Sequence, residues 1–207
     1  MRLFEHDADV LFLAGCLHET LAESRVQVAL QGATVPRDVT FDVSSTRAEL
    51  RRAEGFFRKA LDASSDLIEA RIHLGRVLGL RGQHAEAATE LRRAVTTVDD
   101  PLLRYYAELF VGDEAESLGD RELARASYGR AAALYPSAQS PYLAISQLEK
   151  RDGNRDAARV VIERLLMLSG ERGEREDPWW GYQRSAGRHT DTLLADMRGR
   201  FIAEDRR

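Results

Sequence analysis

Apolar residues recur along most of this chain at the three- and four-residue spacing of amphipathic helices, in blocks punctuated by glycine or proline. The clearest block is Leu67 to Pro101, LIEARIHLGRVLGLRGQHAEAATELRRAVTTVDDP. Its apolar positions fall in two sets on either side of Gly82, Leu74 and Leu78 before it and Ala87, Leu91 and Ala94 after it, which predicts two helices joined by a turn. Residues 7–24 read as an earlier helix begun by Asp7 or Asp9, with an apolar stripe at Val10, Leu13, Leu17 and Leu21. A capping-box pattern, Thr46-x-x-Glu49, opens a helix carrying Leu50, Ala53, Phe57, Ala60 and Leu61. Further starts are marked by Asp99-Asp100-Pro101 and by Ser140-Pro141, read as cap and first helical residue. The turns contain Gly82, Gly119, Gly153 and Gly187, spaced by 37, 34 and 34 residues. Glycine is expected where a helix ends in a left-handed conformation, so the spacing is that of a repeating helix pair.

Numbering one unit from Ile68 places Leu74-Gly75 at positions 7–8, Gly82 at 15, Ala87 at 20, Leu91 at 24 and Ala94 at 27, with a proline at the end. A unit from Tyr105 has Gly112, Gly119, Ala124, Tyr128 and Ala131 at the same positions. One from Gln139 keeps Gly153, Ala158 and Ile162, but has Ser146 at position 8 and Leu165 at position 27. A first unit has Gly15 at position 8, with Ala53, Phe57 and Ala60 at positions 20, 24 and 27 only after 26 extra residues. This pattern resembles the tetratricopeptide repeat (TPR), a helix–turn–helix of about 34 residues. The resemblance implies an all-α fold: a right-handed α-solenoid of about five helix pairs forming a single domain over 1–207. The repeats are 8–62 with an insertion at 26–44, then 68–101, 105–138, 139–170 and 173–207. The last is degenerate. Its first helix is cut short by Asp177-Pro178, and Thr192 and Asp196 give it the polar outer face of a solenoid end. Within the insertion, RVQVALQG and DVTFDVS alternate at strand period around Gly32 and Pro36, which fits either a β-hairpin-like excursion or a disordered loop.

Composition narrows the function classes. Apolar residues make up 43% and charged residues 31%, which suits a packed helical protein. A net charge of −4 gives no basic field to hold phosphate backbones, so nucleic acid is not expected as a partner. The apolar run from Val10 to Leu17 is far short of a membrane span and follows acidic rather than basic residues, so the chain reads as cytoplasmic. His18-Glu19 begins like a zinc-protease helix, but Ala22 stands where the second histidine is needed, and the single cysteine, Cys16, offers no thiolate pair. No phosphate-binding glycine loop or nucleophile elbow occurs. Catalytic residues, metal and cofactor are therefore all expected to be none.

Binding is the remaining class. At 100° per residue, positions 2, 5, 6, 9 and 13 of each first helix share a face, and the family resemblance implies that this face lines a concave groove. The face offers an apolar centre of Ile72, Tyr106, Leu109, Phe110 and Leu143, edged by Arg76, Asp113 and Gln147. Leu109 or Leu143 packing on a neighbouring repeat is the alternative. The Lys and Asn set by which some members clamp a C-terminal carboxylate is absent: Ile72, Arg76 and Phe110 stand at positions it would use. Trp179, Trp180 and Tyr182 form a second candidate, either an aromatic anchor for a partner or a plug against the second helix of repeat four. The expected function is a non-catalytic scaffold binding an apolar peptide or helix of another protein. The alternative is a structural subunit that self-associates or packs into a larger assembly. Oligomeric state is left open.

Overall fold

A computed structural model describes residues 6–23, 45–168 and 177–184. Every regular element among them is an α-helix. The stretch 26–44 and Gly187, with the expectations attached to them, lie outside the described residues. None of the described helices is long and apolar enough to cross a membrane. The chain divides into two compact units, residues 1–67 with 181–207, and residues 68–180.

The first unit contains α1 (Ala8–Ala22) and α2 (Thr46–Ala63), packed on each other. Asp7 caps α1, its Oδ1 accepting from the amides of Asp9 (3.0 Å) and Val10 (3.2 Å). The face α1 buries is Leu11, Phe12, Gly15, Cys16, Glu19 and Ala22, and Leu17 is 56% exposed. This corrects the stripe expected at Val10, Leu13, Leu17 and Leu21. The first turns of α1 are apolar nearly all round, so hydrophobicity alone does not choose a face. The close approach at Gly15 does: a Cβ there would lie 2.4 Å from a Phe57 ring carbon on α2. Ser45, rather than Thr46, caps α2, its hydroxyl accepting from Ala48 N–H (3.3 Å). Glu49 is thereby released from a capping box and binds His18 Nδ1 (2.5 Å) and Arg52 Nη1 (2.6 Å) instead.

The second unit is a run of three helix pairs: α3 (Ile68–Leu80) with α4 (His84–Thr97), α5 (Pro101–Ser117) with α6 (Arg121–Leu134), and α7 (Ser140–Arg151) with α8 (Arg155–Leu168). Each pair also packs on the next, α4 on α5 and α6 on α7. The turns within the pairs are one structure used three times. Gly82, Gly119 and Gly153 have φ of +79°, +81° and +82°. In each, the amide one residue beyond the glycine bonds a carbonyl five residues back: Gln83 to Leu78 (2.9 Å), Asp120 to Ala115 (2.8 Å) and Asn154 to Glu149 (2.9 Å). Within a pair, position 8 meets position 24. A Cβ at Gly75 would lie 2.5 Å from Leu91 Cγ, and one at Gly112 2.4 Å from Tyr128 Cε1. The small residues Ala87, Ala94, Ala124 and Ala131 are fully buried. Ser146, which takes the glycine's place in the last pair, donates its hydroxyl to the Ala158 carbonyl (3.2 Å). The helical architecture expected from the spacing is thus present, with consecutive helix pairs in contact.

Asp100 caps α5, accepting from Leu102 N–H (2.8 Å) and Leu103 N–H (3.1 Å), with Pro101 in the first turn. The start of α7 departs from expectation. Ser140 is helical, and Gln139 at the cap position makes no side-chain capping bond. The cap comes instead from Asp177, whose Oδ2 accepts from Gln139 N–H (3.0 Å), Ser140 N–H (2.7 Å) and Ser140 Oγ–H (2.7 Å). Asp177 also begins the last described helix, α9 (Pro178–Arg184), its Oδ1 accepting from Trp179 N–H (2.9 Å). One carboxylate therefore caps two helices.

Candidate functional site

Three elements of the second unit supply the site: α3 with Arg76, α5 with Leu109, Phe110 and Asp113, and α7 with Leu143 and Gln147. Phe110 and Asp113 are three apart on one helix face, which sets a ring and a carboxylate side by side. The start of α9 is held against this face by polar anchors. Besides its two caps, Asp177 Oδ1 accepts from the Tyr105 hydroxyl (2.7 Å), and Tyr106 donates its hydroxyl to the Pro178 carbonyl (2.8 Å). Tyr105 is fully buried, and burial, with the Asp177 charge second, pushes its hydroxyl far above the ordinary tyrosine range. It remains a neutral donor. So anchored, Trp179 meets Phe110 edge to face at 5.7 Å, and the Arg76 guanidinium lies over both rings, 5.0 Å from Phe110 and 5.1 Å from Trp179.

Beside this stack is an open cleft of about 340 Å³. Its apolar walls are Leu109, Phe110, Leu143, Ala144 and Trp179, and its polar edge is Arg76, Asp113 and Gln147, with Tyr128 and Ser140 also lining it. A smaller cavity of about 70 Å³ adjoins it, sharing Arg76, Phe110 and Asp113 and adding His84, Glu114 and Ser117. Asp113 is exposed, and among the described residues its carboxylate has no hydrogen-bond donor and no ion-pair partner. Partial burial, then the neighbouring Glu116, raises its carboxyl above the ordinary carboxylate value, against the opposing pull of Arg76, His84 and Arg151. Burial also raises Glu114, which bonds His84 Nδ1 at 2.8 Å. Glu116 accepts from the Tyr128 hydroxyl (2.9 Å) and pairs with Arg151.

Of the residues expected to form a partner site, Arg76, Leu109, Phe110, Asp113, Leu143 and Gln147 all line the cleft. Ile72 (1% exposed) and Tyr106 (6%) do not, being packed inside. Phe110 is only 4% exposed, so it forms a wall rather than a free anchor, whereas Leu143 is 40% exposed at the mouth. The second aromatic candidate is divided. Trp179 joins the first site, packed edge to face on Phe110 of α5. Trp180 is exposed, and Tyr182 belongs to the first unit, where its hydroxyl donates to Glu19 Oε1 (2.8 Å). The sequence pattern marks Asp177 only as a helix stop, Ser140 as a cap, and Tyr105 and Tyr128 as repeat positions. For Asp177 a signal exists, since Asp-Pro is a helix start as well as a helix stop. Its second capping role joins residues 37 apart, beyond the reach of local pattern.

No family model matches the chain, and no curated protein matches it. Solved structures do. MamA from Desulfovibrio magneticus RS-1, residues 41 to its end, matches with a TM-score of 0.60 at 16% identity, over 84% of this chain and 81% of that one. The MamA RS-1 ArsTM double mutant gives 0.56 at 16% identity, over 80% and 76%. A further MamA structure gives 0.54 at 18% identity, over 77% and 82%. MamA is a TPR-like helical protein, so the TPR resemblance holds at the level of the fold.

Proposed function

We propose that this chain is a non-catalytic protein-interaction scaffold that takes an apolar peptide or helix of another protein in the cleft beside Trp179. The observation that carries the reading is the cleft itself. Aromatic and aliphatic walls with a few polar groups at the edge are what a desolvated anchor pocket requires, and aromatic residues dominate binding energy in such places. Leu143 supplies apolar surface still open to a partner. Several titratable groups nearby are committed to structure, Asp177 to two helix caps, Glu114 to His84, and Glu116 to Tyr128 and Arg151, which leaves Asp113 as the carboxylate open to a partner. The TPR-like fold of the MamA structures is consistent with a surface for protein partners.

A photo-crosslinking amino acid in place of Gln147 identifies the partner in the native cell. The purified pair is then titrated by fluorescence in a Trp180→Phe background, which leaves Trp179 as the sole indole, the chain having two tryptophans. The expected result is a saturable change in Trp179 emission. Leu143→Glu should weaken binding by roughly tenfold or more, and Leu17→Glu, on exposed surface of α1, should leave it unchanged. Equal affinity for Leu143→Glu and the unaltered chain would remove the cleft as the site.

One further observation favours self-association as a second reading. Val160, Leu166 and Met167 on α8 are 58%, 63% and 79% exposed. Light scattering of the unaltered chain and of Met167→Glu decides it. A dimer that this change dissociates supports the reading, and a monomer at all concentrations ends it.

A further inference from the structure

The arrangement of charge around the cleft points to the chemistry of its partner, an inference that rests on the cleft being the binding site. Arg76, His84 and Arg151 stand near Asp113, and each faces another group. The Arg76 guanidinium lies over the Phe110 and Trp179 rings. His84 holds Glu114, and Arg151 holds Glu116. Asp113 is left at the meeting point of the larger and smaller cavities without an ion pair among the described residues. A carboxylate beside apolar walls and without an ion-pair partner is less favourable in the free protein, because nearby low-dielectric surface penalises the ionised form. A ligand that brings its own cation relieves that penalty. A ligand that brings an anion meets Asp113 and Glu116 together. Arg76 lies over the two ring faces, and the field of Asp113 and Glu116 opposes an anion approaching it.

We infer that the cleft prefers a basic amphipathic segment, one that lays apolar side chains against Leu143 and Trp179 and places a lysine or arginine on Asp113. The walls supply contact area, and the carboxylate selects by charge and fixes which way round the segment lies. The protein's net charge of −4 assists the approach of such a partner and opposes that of an acidic one.

The probe is a displayed set of helical peptides with a constant leucine and phenylalanine face, in which the positions bordering that face are randomised among Lys, Gln and Glu. Selected sequences are synthesised with lysine and with uncharged norleucine at the enriched position, and titrated against the unaltered chain, Asp113→Asn and Leu143→Glu, each checked for helicity by circular dichroism. Enrichment of lysine is expected. Asp113→Asn should weaken the lysine peptide by about tenfold while leaving the norleucine peptide nearly unaffected, so that the coupling belongs to the charge pair. Peptides that bind in a Leu143-dependent way but show no lysine preference and no response to Asp113→Asn overturn this inference and leave the scaffold reading standing. Binding that ignores Leu143→Glu, or no binding by any peptide, overturns both.

Discussion

At the scale of single residues, the second unit depends on a few groups whose partners lie far away in sequence. Asp177 accepts hydrogen bonds from Tyr105, Gln139, Ser140 and Trp179 with only 4% of its surface exposed. Asp177→Ala strands a buried hydroxyl and uncaps α7, and should cost about 3 kcal/mol in urea denaturation. Tyr105→Phe removes one of the bonds and should cost about 1 kcal/mol. If Asp177→Ala costs no more than Tyr105→Phe, the double cap contributes nothing. The glycines divide just as sharply. A Cβ at Gly112 would run into the Tyr128 ring, whereas one at Gly129, on the exposed side of α6, meets nothing within 4 Å. Gly112→Ala should therefore destabilise by roughly 1–3 kcal/mol. Gly129→Ala should stabilise by roughly 0.5–1 kcal/mol, since a helix interior favours alanine. Thermal melts that move both variants in the same direction would refute this assignment of close and open faces.

At the scale of the helix pair, the repeat is a steric rule: small residues at two crossings and a large one between them. Ala87→Leu forces two close-packed helices apart and should cost roughly 1–3 kcal/mol. Leu91→Ala leaves a cavity beside Gly75 and should cost roughly 2–5 kcal/mol. Arg92→Gln is the appropriate surface control in denaturant titrations, because Arg92 is exposed. Glu90 is not, since it holds Arg71 at 2.6 Å across the α3–α4 pair. Midpoints for Ala87→Leu and Leu91→Ala equal to that of Arg92→Gln would mean the repeat register is misplaced. Polar links of the same kind join other neighbours, Glu108 with Arg130 between α5 and α6 (2.7 Å) and Glu149 with Arg125 between α7 and α6 (2.6 Å). They set which faces meet, while the buried apolar positions supply most of the stabilisation.

For the whole molecule, the cleft's chemistry and the protein's stability are linked through Asp113. Its carboxyl is raised by partial burial and by Glu116, so the folded state holds the proton more tightly than the unfolded chain. The sign follows: as pH rises from the ordinary carboxylate range through the raised folded value, ionisation costs stability, and the penalty is complete above that value. Asp113→Asn should therefore raise the denaturation midpoint at neutral pH, with the gain disappearing below the ordinary carboxylate range. The charged neighbours that set the window are Glu114, Glu116, Arg76, His84 and Arg151. A midpoint difference independent of pH would mean that ionisation of Asp113 is not its source. A variant that is more stable yet binds a basic peptide less well is the pattern expected of a group kept for function.

The repeating helix pairs were legible in the sequence because local chemistry encodes them. Only glycine sits without strain at φ near +80°, so Gly82, Gly119 and Gly153 mark the turns. Only small side chains fit where helices cross closely, so Gly75, Ala87 and Ala94 give the register. The same reasoning brought Arg76, Leu109, Phe110, Asp113, Leu143 and Gln147 to one face, because that face recurs at a fixed angular period. Tertiary structure decided what periodicity does not carry. The buried side of α1 follows from one contact, Gly15 on Phe57, since its apolar residues run round much of the helix. Ser45 caps α2 because the backbone turns one residue before Thr46, a distinction between two competent hydroxyls that lies below the resolution of a sequence pattern. Trp179 alone of the second candidate joined the first site, held there through Asp177, which bonds residues on α5 and at the start of α7. A hydrogen bond between residues 37 or 72 apart leaves no periodic trace along the chain, and only the folded backbone brings its partners within reach.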